Sequence, residues 1–174
     1  MDVVVRPWTE QDAGALEAAV QESREHLRPW MAWADGGVDV GWRRRWIREQ
    51  NEAEAAGGDR VRGAFAGAAV VGAGGLHRRI GPEALEIGYW VHATWTRRGV
   101  ATAIATALVA EAFADAGIVA VEIHHDAGNA ASGAVAAKAG FTPVGARARA
   151  PVAPADGPTE RIWRLTRDQY RKRI

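Results

Sequence analysis

Glu86-Ile-Gly-Tyr-Trp-Val-His-Ala-Thr-Trp-Thr-Arg-Arg-Gly-Val-Ala-Thr102 is the stretch on which the reading of this chain turns. An apolar strand runs into a short loop, the loop carries Gly99 among small residues, and a helix starts at once. Backbone amides at a helix N-terminus have no intrahelical partner, and the macrodipole adds partial positive charge there. Such a turn accepts a phosphate when the side chains are small enough for close approach. Gly99 and Ala101 meet that condition, Val100 and Thr102 contribute first-turn amides, and Arg97 and Arg98 add charge suited to a pyrophosphate or ribose phosphate.

Downstream of this turn the pattern predicts an Ala-rich helix from Gly99 to Ala116, stopped by Gly117. Ile118 to His124 is a nearly continuous apolar strand, as expected of a central position buried on both faces. Asn129 to Ala139 reads as a second helix stopped by Gly140. Ala146 to Pro158 reads as a loop rich in Pro and Ala, and Arg161 to Leu165 as a last strand.

Upstream, Val61 to Ala66, Ala69 to Leu76 and Ala84 to Val91 are short β-prone runs separated by turn residues, an antiparallel meander. Before them lie a first strand at Val3 to Val5 and two helices. The first opens on Thr9 with Asp12 in its first turn, and the second spans Val40 to Ala56. Arg43-Arg44-Arg45 on the second helix reads as a solvated face. The order is strand, two helices, three strands, helix, strand, helix, strand. That is a mixed α/β layout with one strand–helix–strand crossover, and no repeat or linker divides residues 1–174 into more than one domain.

The composition narrows the function. A length of 174 residues suits one core, and a net charge of +1 gives no field that steers the chain toward nucleic acid or an anionic membrane. With no cysteine there is no disulfide, no thiolate zinc site and no acyl-cysteine intermediate. No segment approaches the ~20 apolar residues of a membrane span, and the N-terminus lacks the layout of a signal peptide, so the expected location is cytoplasmic. His124 and His125 stand at adjacent strand positions and so face opposite sides, which argues against a shared metal.

The chain resembles the GNAT acetyltransferase superfamily. The acetyl-CoA loop of that superfamily follows Gln/Arg-x-x-Gly-x-Gly/Ala, and here Thr96-Arg97-Arg98-Gly99-Val100-Ala101 matches it except at the first position, where Thr stands. Asn129-Ala-Ala-Ser132, then Lys138-Ala-Gly140-Phe141 and Gly145, are similar to the superfamily's second run. Glu86-Ile-Gly-Tyr-Trp-Val91, the early Leu27-Arg-Pro-Trp30 with Trp33, and Thr159-Glu160-Arg161-Ile162-Trp163-Arg164-Leu165 resemble the branch that acetylates the N-termini of ribosomal proteins, the Rim type.

The resemblance implies a central, mostly antiparallel sheet of six to seven strands flanked by about four helices. It also implies acetyl-CoA as cosubstrate, no metal, and direct attack of an amine on the thioester. It places the cofactor against Val91, His92, Arg97, Arg98, Gly99, Val100, Ala101, Thr102, Asn129 and Ser132. The Ser132 hydroxyl falls near the departing sulfur, and a backbone N–H at the end of the strand, Val91 or His92, falls near the thioester oxygen. An α-amine is roughly 10% neutral at pH 7 and a Lys amine below about 0.1%, so an N-terminal acceptor asks for only a modest base. Glu86, Glu160 and His77 are the candidates. Trp30, Trp33, Trp90 and Trp95 are candidates for lining an acceptor pocket.

Two other readings stay open. One is an acetyltransferase for a small amine such as an amino acid, polyamine or antibiotic. The other is a non-catalytic acyl-CoA-binding module, against which the presence of Ser132 and the carboxylates weighs. The sequence also leaves a homodimer open.

Overall fold

The structure, a computed structural model, describes residues 2–173. β1 (Val4–Pro7) leads through a tight turn at Glu10–Asp12 into α1 (Ala13–Leu27). The Thr9 amide and hydroxyl both donate to Asp12 Oδ2 at 2.8 Å, and Arg6 grips the same carboxylate at 2.8 and 2.9 Å. A second turn at Ala32–Asp35 precedes α2 (Val40–Ala55), capped by the Asp39 side chain on the Trp42 amide. Arg43 is not part of a solvated face: it is buried and forms a 2.7 Å ion pair with Glu17 that ties α2 to α1. Position on the inward side of the helix, not the run of three arginines, decides its environment.

The meander follows as β2 (Arg60–Ala66), β3 (Ala69–His77) and β4 (Ala84–Val91). Next come α3 (Val100–Ala114), β5 (Ala120–Asp126), α4 (Ala130–Lys138), β6 (Thr142–Ala148), β7 (Thr159–Thr166) and α5 (Arg167–Arg171). Together they make one seven-stranded sheet in the order β1-β2-β3-β4-β5-β7-β6. β4 and β5 run parallel, and the other neighbouring pairs are antiparallel. This is the mixed, mostly antiparallel α/β sheet expected from the element pattern. β6 and α5 are the additions to that reading.

Helices cover both faces of the sheet. On one face Val100, Ile104, Leu108 and Phe113 of α3 pack with Leu85, Ile87, Val121 and Ile123, and α4 adds Ala136. On the other, Leu16 and Val20 of α1 and Ile47 of α2 pack with Trp8, Phe65 and Trp90. α3 lies close on the sheet because β3 presents glycine beneath it. A Cβ on Gly74 would stand 2.7 Å from Ile104 Cγ2 and 2.8 Å from Leu108 Cδ1. That seat fixes where the N-terminus of α3 points, and the first two helices leave the β5–β7 part of the other face open for the site.

Candidate active site between two parting strands

The site begins with an incomplete strand pairing. β4 and β5 are in register only over Ala84–Glu86 and Ala120–Glu122, although β4 continues to Val91 and β5 to Asp126. The His92 amide donates to the Val71 carbonyl at 2.9 Å, so by the alternation of an antiparallel ladder the backbone groups of Ile87, Tyr89 and Val91 face the other way. On β5 the same rule turns Glu122 and His124 toward β4, because Arg167 donates to Val119 and Ala127 to Thr159 on the β7 side. Backbone polar groups are thus brought face to face across a gap in the middle of a sheet. Such groups are satisfied by a partner in nearly every folded protein. A cleft of about 1330 Å³ passes through this gap.

On the α3 side the cleft is lined by Thr96, Arg97, Gly99, Val100, Ala101 and Thr102. Arg97 (φ 59°) and Gly99 (φ 81°) both take the left-handed conformation, and Gly99 caps α3 with no side chain over the first-turn amides. Alternating handedness of this kind turns successive N–H groups into a concavity for an anion. A Cβ built on Gly99 would meet nothing within 4 Å, so the space before these amides is open. Arg98 lies over the Trp95 ring, 5.1 Å from its centre. These features fit a phosphate-bearing cofactor whose arm enters the gap.

Across the gap, Asn129 caps α4 by accepting from the Ser132 amide at 3.1 Å. The Ser132 hydroxyl sits 2.7 Å from the Tyr89 hydroxyl. Burial pushes the Tyr89 phenol up to about 12, so it keeps its proton through the neutral range. The pair sets two hydroxyl groups at the strand opening.

The opposite face of the gap is a charged nest around His124. Its Nε2 lies 2.6 Å from Glu122, and its Nδ1 lies 3.7 Å from both Glu86 and Glu160. Each carboxylate also has a guanidinium: Arg79 on Glu86 at 2.6 Å, Arg164 on Glu122 at 2.9 Å and Arg147 on Glu160 at 2.7 Å. Burial pushes the Glu86 carboxyl up, but the hydrogen bonds and charge of Arg79, with smaller contributions from His124 and His77, together outweigh it and leave the group below its usual range. Arg149 bridges to Asp156 at 2.9 Å and approaches Asp126 and Glu160.

The loop predicted from Ala146 to Pro158 forms a wall of this face. Its Ala155 amide donates to Pro29 O at 2.8 Å and its Gly157 amide to Asp126 at 2.8 Å. The loop begins later than expected, since β6 runs to Ala148. A smaller hollow continues outward between Trp30, Trp33, Arg79, Arg149 and Val152.

Of the expected site residues, the structure gathers Val91, Arg97, Gly99, Val100, Ala101, Thr102, Asn129, Ser132, Glu86 and Glu160 around one cleft. Trp30, Trp90 and Trp95 line it too, while Trp33 lies in the outer hollow, edge-on to Trp90. Two expectations need correction. His92 is unavailable as a donor, because its amide is spent on Val71 and its ring is buried against Glu22 and Thr94. His77 is held by Asp59 at 2.7 Å, outside the cleft. His124 and His125 do face opposite sides, His125 accepting from the Trp163 indole at 3.0 Å. Among the described residues no group of three or more His, Asp or Glu is placed to hold a metal ion. No helix among them is long and apolar enough to cross a membrane. The sequence reading gave no role to Tyr89 or the four arginines and weighed His124 only for a metal; Tyr89 meets Ser132 from α4, and β4, β5 and β7 together supply the carboxylates around His124.

Comparison with known proteins follows the same line. The family described as the acetyltransferase (GNAT) domain matches residues 2–142. Curated proteins give no match. Among solved structures, the ribosomal L7/L12 α-N-protein acetyltransferase RimL in complex with coenzyme A superimposes with a TM-score of 0.85 at 21% identity, covering 96% of this chain and 95% of that one. RimJ of Mycobacterium smegmatis, in complex with CoA-disulfide, gives 0.81 at 22%, with 96% and 83% covered. The microcin C7 self-immunity acetyltransferase MccE, with acetyl-CoA and AMP, gives 0.86 at 17%, with 95% and 92% covered.

Proposed function

This chain belongs to the acetyltransferase (GNAT) domain family, and from that premise we propose that it acetylates the N-terminal α-amine of a protein or peptide. It is an acetyl-CoA-dependent acyltransferase. Acetyl-CoA, when bound, supplies an acetyl group already activated as a thioester. The acceptor assignment rests on one observation: the gap between β4 and β5 has a phosphate cradle on one side and a carboxylate-rich nest, able to hold an ammonium, on the other.

In this reading the first-turn amides of α3, with Arg97 and Arg98, take the pyrophosphate. The backbone of Val91 pairs with the pantetheine arm and offers its N–H to the thioester oxygen. Asn129 orders the first turn of α4. Ser132 and Tyr89 deliver a proton to the departing sulfur. Glu86 and Glu160 hold the acceptor ammonium. The outer hollow beside Trp30 and Trp33 gives the residues after an N-terminal amine somewhere to lie, which supports a peptide over a single amino acid. The Rim-type neighbours have the same architecture, and residues 1–174 are best taken as one domain of this kind.

The test is a thiol-release screen with acetyl-CoA and three acceptor sets. These are peptides with free N-termini, the same peptides N-blocked with one Lys, and small amines including amino acids, polyamines and aminoglycosides. The free N-termini should give the highest kcat/KM, by about tenfold or more. A preference for small amines would move the assignment to the small-molecule class, and no turnover with any amine would remove it.

A further inference from the structure

We propose that His124 is the base that takes the proton from the acceptor ammonium, an inference that rests on the amine-acetyltransferase reading above and names the atom where its proton goes. Carboxylates are the obvious bases in this nest, yet none is free. Arg79 binds both oxygens of Glu86, at 2.8 and 2.6 Å. Arg147 and Arg149 approach Glu160 at 2.7 and 3.5 Å, and Arg164 and His124 share Glu122. A carboxylate whose oxygens already accept from a guanidinium or an imidazole has fewer lone pairs left to take a proton. His124 Nδ1 is different: it lies 3.7 Å from two carboxylate oxygens, beyond hydrogen-bond reach of either, on the wall of the cleft.

The ring's orientation is fixed from behind. Glu122 accepts from Nε2 at 2.6 Å, so the hydrogen of the neutral ring sits there and the lone pair sits on Nδ1. Nδ1 lies 3.7 Å from each of Glu86 and Glu160, the two groups that hold the ammonium. His124 stands on β5 two residues beyond the last pairing with β4, where the strands have parted and the thioester must come through.

Charge balance makes the arrangement specific for a single cation. Glu86, Glu122, Asp126, Asp156 and Glu160 face Arg79, Arg147, Arg149 and Arg164, which leaves one carboxylate in excess. One positive charge completes the nest, carried either by the acceptor ammonium or by the His124 imidazolium. When the ammonium enters, the ring is neutral. When an ammonium N–H bond breaks, its electron pair stays on nitrogen and its proton moves to Nδ1, so the nest's charge is unchanged while the amine gains its nucleophilic lone pair. The N–C bond then forms and the C–S bond breaks. The sulfur takes a proton from the Tyr89–Ser132 pair, which is restored by the second proton the nitrogen loses, and His124 returns the first to solvent.

The experiment compares wild type with His124→Gln. It reads kcat against pH on the best acceptor, CoA affinity by calorimetry, and the His124 ring resonances of wild type by NMR titration with CoA bound. The expected result is CoA affinity within twofold of wild type, a fall in kcat of about 100-fold or more, and loss of the acid limb of the profile. In wild type, the ring should titrate at the same pH as that limb. Retention of kcat within threefold, an acid limb that persists unmoved, or a ring that titrates elsewhere overturns the proposal. Should the variant not fold, the wild-type ring titration decides alone. Failure of wild type to acetylate any amine would sink the amine-acetyltransferase reading itself, a result distinct from every outcome for His124.

Discussion

The Tyr89 and Ser132 hydroxyls, 2.7 Å apart, link β4 to the first turn of α4 across the gap where the two parallel strands separate. Neither residue has a neighbour in sequence that would bring them together. The contact exists because α4 returns over β5 and sets its N-terminus at the opening. Two hydroxyls in contact form a relay in which either can donate.

Removing one of them should therefore be tolerated better than removing both. Tyr89→Phe and Ser132→Ala should each lower kcat by about tenfold and the double variant by about 100-fold, with CoA affinity little changed. Single-turnover thiol release checks this. A double variant no slower than either single would show that the two hydroxyls act only in series and would deny that either can donate alone.

The same phenol makes a stability prediction. Its folded value, about 12, lies above the ordinary 10.0, so between these values the unfolded chain releases a proton that the folded chain retains. Stability attributable to this group is complete below pH 10 and falls as pH rises toward 12. Thermal melts across that range should show a shallower alkaline decline in Tyr89→Phe than in wild type.

Asp12 supplies the opposite sign. The hydrogen bonds from Arg6, joined by those from Thr9 and opposed by burial, hold its carboxyl at about 2 against an ordinary 3.8. Its contribution is present above pH 3.8 and disappears as pH falls through 2. Asp12→Ala should cost about 1–2 kcal/mol at neutral pH, and the difference from wild type should close near pH 2. Urea denaturation at the two pH values reads it directly.

Much of the sheet is legible in the chain because its strands carry apolar runs and its helices end at glycines. β6 is not, and the reason is physical. It is an edge strand exposed along its length, broken by Pro143 and irregular near Gly145, so it has no buried face to impose alternation. α5 is a single short turn, visible only through the Thr166–Gln169 capping pair. The turn into α3 could be read because its residues are contiguous and Gly99 marks the start of the helix. The nest around His124 draws on β4, β5, β6 and β7 together, and residues scattered from 79 to 164 carry no local signature of meeting.

Gly74 connects fold to function. Gly74→Ala pushes a methyl group into Ile104 and Leu108, which should cost about 1–3 kcal/mol and lift α3 off its seat. Because the proposed phosphate cradle lies at the N-terminus of α3, CoA affinity should fall as well. Calorimetry on the folded variant checks this, and unchanged affinity would show that the cradle does not depend on how α3 is seated.

The most direct test of the whole account is a calorimetric titration of acetyl-CoA into wild type and into Gly99→Trp. The substitution places an indole in the open space before the α3 amides and strains a left-handed residue. Saturable one-to-one binding in wild type, abolished in a variant that still melts cooperatively, is the predicted result. A folded wild type that does not bind, or a variant that binds as tightly as wild type, would contradict it.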